Sequence, residues 1–353
     1  MRAALQGGGR LATVYHAARA AFVAGRRGGY CMRNFLAIAG FTMLLFVAIV
    51  AGAVAFDSPK PPPPMVSVST PFQAVDFSDL PPVTHYAARD GAQLAYRHYA
   101  GEADRQVILV HGSAGSSIGM HATARALAAA GANVIAVDIR GHGSSGPLGD
   151  IAYIGQLEDD LEDLLNGLDR AHHARETTLI GFSSGGGFAL RVAGGRLGAR
   201  FSRFILLSPY LRYDAPNARS STGAGWTAIA LPRIVALQLV NKVGITAFNG
   251  LPVLAFGLAA GNPAHLAPSY SYRLLTNFQP DDDYVGDVRR APAPLMAVAG
   301  TADEIFQTDR LQAALAAGKP DVRVDLVPGV GHIGLTTTPA GTAAIVKAWA
   351  GPF

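Results

Sequence analysis

The apolar positions of the chain form one long stretch followed by many short ones. Phe35 to Phe56 is 22 residues without a charge. As a helix rising about 1.5 Å per residue it spans about 33 Å, enough for a bilayer core of about 30 Å. It lacks the polar face that a buried core helix of this length would carry. From residue 83 the pattern changes. Val83–Ala88 and Gln93–Tyr99 flank Asp90-Gly91 and predict a hairpin. Gln106–Val110, Asn133–Asp138, Thr177–Gly181, Phe204–Leu207, Leu295–Ala299 and Val322–Val327 are short, mainly apolar runs, as expected of strands covered on both faces of a parallel sheet. Between them, His121–Ala130 predicts a helix closed by Gly131. Gln156–Arg170 predicts another, with Leu157, Leu161, Leu164, Leu165 and Leu168 at helical spacing, and about Ala340–Ala350 a last one. Alternating strands and helices predict an α/β domain with a doubly wound, mostly parallel sheet. The rhythm breaks between about Tyr210 and Arg290. Apolar helical runs there, Ile229–Val243 and Ile245–Leu258, predict a helical cap inserted between two sheet strands. Pro232, Arg233 and Lys242 in the first run, and Asn249 to Pro252 in the second, argue against a further membrane span.

Charge sharpens this division. The chain carries 29 Lys+Arg against 25 Asp+Glu. Arg2, Arg10, Arg19, Arg26, Arg27 and Arg33 place +6 in residues 1–34, which hold no acid, so the remainder sums to −2. The basic excess belongs to a tail, and the charge distribution argues against a nucleic-acid-binding body. With 50% hydrophobic and 15% charged residues, disorder across the chain is excluded too. Cys31 is the single cysteine, so neither an internal disulfide nor a thiolate zinc site can form, and no metal or cofactor is expected. Arg26, Arg27 and Arg33 precede the apolar run while only Asp57 and Lys60 follow closely, so the positive-inside bias predicts a cytoplasmic N-terminus and an extracytoplasmic body. The alternative is a cleaved signal peptide: Ala53-Val54-Ala55 has the small-x-small form, and a chain begun at Met32 would have ordinary signal-peptide length, releasing the body near Ala55. A retained anchor is favoured because the apolar run exceeds the roughly 7–15 residues usual for a signal peptide. The expected organisation is a basic tail over 1–34, an anchor over 35–56, a Pro-rich linker over 57–82 and a folded body over 83–353. Pro61 to Pro64 predict a polyproline II spacer that lifts the body off the membrane.

Gly181-Phe182-Ser183-Ser184-Gly185 follows an apolar strand and opens a helix. A strand meeting a helix in so tight a bend needs small residues two before and two after the exposed serine. Ser183 satisfies this, whereas Ser184 would have Phe182 at its minus-two position. A serine hydroxyl is a weak nucleophile and needs a base that a third group orients. Asp303 and His332 each lie just past the carboxyl end of a strand, where sites of open α/β sheets gather. Glu304 and Asp214 are rival acids. His111-Gly112-Ser113-Ala114-Gly115-Ser116-Ser117 forms a glycine-lined turn after another strand, and its Ser113 N–H could pair with that of Ser184 to stabilise an oxyanion. The turn lacks the Lys-Ser/Thr ending of a phosphate-binding P-loop. His142, in Asp138-Ile139-Arg140-Gly141-His142, reads as part of a loop held by Asp138 and Arg140. Asp281-Asp282-Asp283 reads as a solvated turn and His172-His173 as surface.

Taken together, HGSAGSS, DIRGHGSS, GFSSGG, GTADE and GVGHIG resemble the α/β-hydrolase superfamily over roughly residues 84–350, and look most like its lysophospholipase and monoacylglycerol-lipase-like branch, grouped with serine aminopeptidases. The resemblance implies Ser183 as nucleophile, His332 as base, Asp303 as its orienter, and the Ser113 and Ser184 N–H groups as oxyanion donors. It implies a serine hydrolase acting on carboxylic esters through an acyl-enzyme. The cap matches nothing recognisable; its Trp226, Phe248 and Phe256 suggest an apolar or lipid-like acyl group. A peptidase or amidase would need an acidic cluster to hold a substrate amine, for which Asp281–Asp283 and Asp287 are the candidates. Acyl transfer on the same residues, and a catalytically silent binding module, are the remaining alternatives.

Overall fold

The computed structural model describes residues 16, 34–171, 176–219, 225–258 and 265–352. Cys31, most of the basic tail and His172-His173 lie outside the described residues. The chain divides into two units, 1–57 and 58–353. In the first, α1 (Asn34–Phe56) is a continuous helix of 23 residues with mean hydropathy 2.5 across its 18-residue window, long and apolar enough to cross a bilayer. A signal sequence at this position would have the same properties.

The second unit is built on an eight-stranded sheet. Its strands are β1 (Val83–Ala87), β2 (Gln93–Tyr99), β3 (Glu102–Val110), β4 (Ala132–Val137), β5 (Glu176–Phe182), β6 (Arg203–Leu207), then β10 (Leu295–Gly300) and β11 (Arg323–Val327) after the insertion. They lie in the order β1-β2-β4-β3-β5-β6-β10-β11. All pairs from β4 to β11 are parallel, while β2 runs antiparallel to both β1 and β4. Strand alternation splits the buried side chains into two cores. Ile108, Val110, Phe204 and Leu206 face one side, and Val107, Leu109, Ile205 and Leu207 the other. The first side is covered by α4 (Gln156–Ala171), α5 (Ser184–Gly194), α8 (Tyr284–Arg290) and α9 (Leu311–Ala316). The second is covered by α3 (His121–Ala129), α10 (Gly334–Thr337) and α11 (Pro339–Ala350). This is the doubly wound α/β-hydrolase architecture.

Two expectations are corrected. The linker is not a free spacer over its whole length. Residues from Met65 onward form a short helix, α2 (Val66–Ser69), and a 3-10 turn that set Val68 and Phe72 against the second core. Asp79 accepts from His121 Nε2 at 3.0 Å and from Arg125 at 3.1 Å, and the Phe77 ring lies 5.5 Å from that of His121. Further back, the Pro62 and Pro63 carbonyls lie so close to Gly257 that a side chain there would collide with them. The cap is also not wholly helical. Between β6 and β10 lie β7 (Thr227–Ile229), α6 (Leu231–Lys242), β8 (Pro252–Phe256), β9 (Ser269–Ser271) and α7 (Tyr272–Asn277). The three strands form an antiparallel sheet in the order β7-β8-β9. Only the first apolar run becomes a helix. The second breaks at Asn249-Gly250-Leu251 and continues as β8, because its inner backbone groups are taken by strands on both sides. The helix α8, inside the expected cap boundary, packs Val288 into the first core and belongs to the body.

Candidate active site

The strand β5 ends at Phe182 and α5 begins at Ser184, leaving Ser183 alone in the bend at φ 54° and ψ −117°. An L-residue rarely adopts this conformation, so its surroundings must hold it there. Ser183 N–H donates to Leu207 O at 2.8 Å, and its carbonyl accepts from Tyr210 N–H and Gly187 N–H at 3.0 Å each. The flanking glycines explain why the bend can close at all. A Cβ on Gly181 would run into the Gly185 carbonyl oxygen, and one on Gly185 into the His111 carbonyl oxygen.

Two loops beyond the sheet edge bring Asp303 and His332 together. His332 Nδ1 lies 2.8 Å from Asp303 Oδ2. The other carboxylate oxygen accepts from Ile305 N–H and Phe306 N–H at 2.9 Å each. Burial alone would raise the Asp303 carboxyl, but the facing His332, by charge and hydrogen bond, and the two backbone donors outweigh it and hold it below the ordinary range. An acid so placed fixes the imidazole with Nδ1–H inward, leaving Nε2 as the nitrogen able to take a proton. The His332 ring lies between Phe182, 4.8 Å away, and Phe306, 5.2 Å away. Contact with Phe182 sets it beside the residue preceding Ser183, although Ser183 Oγ and His332 share no hydrogen bond in this geometry. Such bonds are often open before substrate arrives. Of the rival acids, Glu304 accepts the His332 backbone N–H at 3.0 Å, and Asp214 pairs with Arg212 at 2.7 Å.

Ser113 and Ser184 meet through a hydrogen bond between their hydroxyls. Ser184 N–H heads α5, where no carbonyl four residues back can accept it. Among the described residues, neither this N–H nor that of Ser113 donates to a protein acceptor, and both stand at the positive end of a helix or in its neighbouring turn. Asp138 ties this turn to the next loop by accepting from Ser117 N–H at 2.6 Å and Ser144 N–H at 2.9 Å. Arg140 instead pairs with Asp160 on α4 at 2.7 Å. No group of three His, Cys, Asp or Glu residues able to hold a metal occurs among the described residues.

Several site features carried no sequence signal. Arg219 Nη2 donates to the carbonyls of Asp303, at 2.7 Å, and Phe306, at 3.2 Å, clamping the acid loop from the cap side. Arg219 also lines a cavity of about 280 Å³ beside that loop, with Thr301, Asp303 and Thr308. A second cleft, of about 440 Å³, lies between α4 and α5 and is lined by charged groups such as Glu158, Arg191 and Arg196. Neither is lined by Ser183, which is buried. His142 is not merely a loop residue: it is fully buried, its ring 4.8 Å from that of His111, with Nε2 2.6 Å from Tyr270 Oη.

The cap candidates divide. Phe256 is buried between Trp226, at 4.9 Å, and Tyr270, at 4.8 Å, so it is core and not a lining residue. Trp226 is partly buried beside it, while Phe248 remains exposed. Three of the four acids of the cluster are likewise engaged elsewhere. Asp281 pairs with Arg191 at 2.5 Å, Asp283 caps α8 through Gly286 N–H, and buried Asp287 pairs with Arg290. Burial and the nearby Asp281 charge raise the Asp287 carboxyl to about 6 despite Arg290. Asp287 packs against Gly194, about 15 Å along α5 from Ser184 at 1.5 Å per residue. A substrate amine held there would sit at the wrong end of the helix.

Residues 101–336 match the family described as "Serine aminopeptidase, S33". A 120-residue stretch, 34% of this chain, is 35% identical to a non-heme chloroperoxidase of Kitasatospora aureofaciens and spans 42% of that protein's length. Among solved structures, a monoacylglycerol lipase of Paleococcus ferrophilus superposes with a TM-score of 0.54 at 21% identity, covering 72% of this chain and 98% of that one. A soluble variant of Saccharomyces cerevisiae monoglyceride lipase gives a TM-score of 0.58 at 16% identity, covering 78% and 97%. At these identities the likeness is one of fold.

Proposed function

The chain belongs to the serine aminopeptidase family of α/β-hydrolases, and from that membership we propose that it is a serine hydrolase cleaving carboxylic esters through Ser183, His332 and Asp303. The observation that carries this reading is the Asp303–His332 pair, at 2.8 Å, beside the strained bend that carries Ser183. His332 Nε2 takes the hydroxyl proton as Ser183 Oγ bonds to the acyl carbon. The carbonyl oxygen becomes an oxyanion facing the Ser113 and Ser184 N–H groups. Collapse breaks the ester C–O bond, and His332 returns the proton to the leaving alcohol. Water then attacks the acyl-enzyme by the same route, releasing the acid and restoring Ser183.

An ester is favoured over a peptide amine because three of the four acids that would hold the amine are engaged: Asp281 is paired, Asp283 caps α8, and Asp287 is buried about 15 Å along α5 from Ser184. The family's description alone favours the aminopeptidase reading, and among the described residues no grouping of acids near Ser183 supports it. The test is labelling of the full chain in detergent with a fluorophosphonate probe, which reacts only with an activated serine. We expect labelling of the unaltered protein and none of Ser183→Ala. Equal labelling of both would mean another serine is the nucleophile, and no labelling of the folded protein would remove the enzyme reading.

The acyl group we propose is apolar or lipid-like, and α1 a retained anchor with the body outside the cytoplasm. Supporting this, α6 exposes Leu231, Val235 and Leu239 at four-residue spacing, and Val243, Ile245 and Phe248 continue the apolar surface at 38–73% exposure. On the expected orientation such a stripe favours substrate held in a lipid surface. Long-chain monoesters in vesicles should then be hydrolysed with kcat/KM at least about tenfold above acetyl esters, and Val235→Asp/Leu239→Asp should lower only the vesicle activity, by about 30-fold, the two lost apolar contacts contributing about 1 kcal/mol each. Equal rates on short and long esters would sink the lipid-like assignment.

A further inference from the structure

The turn carrying Ser113 is held from outside by the cap. Gly115 N–H donates to Gly112 O at 3.1 Å, closing a four-residue turn whose third residue, Ala114, has φ 57°. Turns with positive φ at that position normally place glycine or asparagine there, and alanine pays a steric cost for it. Both backbone groups of Ala114 are engaged by the segment around β9. Its N–H donates to Tyr270 Oη at 2.6 Å, and its carbonyl accepts from Ala267 N–H at 2.9 Å.

The tyrosine is itself fixed in direction. Its hydroxyl lies 2.6 Å from His142 Nε2, and His142 Nδ1 faces Arg140 O at 3.3 Å. Burial, together with the neighbouring His111, pushes the His142 imidazole well down, and burial pushes His111 down as well. Both rings are therefore neutral. With Nδ1–H given to Arg140 O, His142 Nε2 is an acceptor, so the Tyr270 proton points at it. The Tyr270 lone pairs are left for Ala114 N–H. The ring is buried edge-on against Phe256 and His142, so it cannot swing away without disturbing the cap.

We infer that Tyr270 is a positioning residue through which the cap completes the oxyanion site: its hydroxyl keeps Ala114 in the left-handed conformation that aims the preceding Ser113 N–H at the substrate. This rests on the ester-hydrolase reading of Ser183. Binding of a tetrahedral adduct at Ser183 and cap seating are then thermodynamically linked, so whatever strengthens one strengthens the other.

The test uses the full chain in detergent with a p-nitrophenyl ester. Tyr270→Phe keeps the ring and removes only the hydroxyl. We expect kcat to fall about 10- to 100-fold with KM within twofold, less than the 10²–10³ typical of losing a direct oxyanion donor. Affinity for an alkyl boronic acid, which forms a tetrahedral adduct with Ser183, should fall by a similar factor. Adding Ala114→Gly, which takes φ 57° without strain, should restore kcat at least about threefold. A merely structural tyrosine would show no such rescue. A second measurement leaves the tyrosine untouched: in the unaltered protein, boronic acid binding should slow amide exchange in residues 112–115 and 266–271 together. An active wild type whose Tyr270→Phe variant keeps kcat within twofold, or whose 266–271 amides do not respond to boronic acid, overturns the inference and leaves the hydrolase reading standing. A wild type without Ser183-dependent turnover overturns both.

Discussion

Replacing His332 by alanine is expected to lower kcat on the order of 10⁶-fold, as loss of the base does where the three groups act as one unit. Asp303→Asn should cost about 10⁴-fold, because an amide no longer enforces the tautomer that leaves Nε2 free. The double variant should be no slower than His332→Ala alone, since an oriented base that is absent cannot be oriented. Ester turnover by the three proteins, each checked for a cooperative melt, decides this. If Asp303→Asn stayed within tenfold of wild type, Asp303 would not be the orienting acid, and Glu304 would be the remaining candidate beside His332. Stability offers an independent reading. Burial opposes ionisation of Asp303, yet His332 and two backbone donors hold its carboxyl below the ordinary range. Its contribution is thus present above the unfolded carboxyl value and is lost as pH falls through the lowered folded value. The melting temperature of the wild type should fall across that acid range, and His332→Ala should blunt the fall.

The second large effect concerns folding. Gly185→Ala is expected to remove more than about 4 kcal/mol of stability, beyond the usual range for a single substitution. With total stabilities of about 5–15 kcal/mol, little folded protein should remain at 37 °C. The new Cβ would meet the His111 carbonyl oxygen, a backbone atom that cannot rotate away, with the Val110 side chain also too near. The strain of Ser183 at φ 54° leaves the bend no slack to absorb the shift. Gly119→Ala is the control: its Cβ would make only ordinary contact with the Phe72 ring, at 3.6 Å. Thermal melts of both variants test the argument, and a Gly185→Ala melting temperature equal to that of wild type would show that the bend tolerates a side chain after all.

The same steric logic explains why so much of the candidate site is legible in the chain. A strand feeding a helix through Gly181 and Gly185 admits few alternatives, and loops leaving parallel strands at one edge bring Asp303 and His332 near it regardless of distance in sequence. The cap is less legible. Ile245 to Leu258 is apolar without a period that separates helix from strand, and only the tertiary pairing of β8 with β7 and β9 decides it. Composition also cannot separate a lining aromatic from a core one, so Phe256 reads as a substrate contact yet lies inside the fold. Tyr270 gave no signal because its partners, Ala114 and His142, are 156 and 128 residues away.

If α1 is the retained anchor proposed above, the contacts made by residues 62–80 bear on how the body could leave it. Asp79 is bonded to α3, Phe72 lies against the second core, and the Pro62 and Pro63 carbonyls rest against Gly257. Proteolytic shedding would thus have a narrow window. A cut between residues 57 and 61 releases an enzyme with its whole surface dressed, whereas a cut near residue 82 strips a strap from it and bares apolar side chains of the second core. The boundary of the folded enzyme, for a protease or for anyone trimming the gene, falls at the start of the proline run and not at the first strand of the sheet.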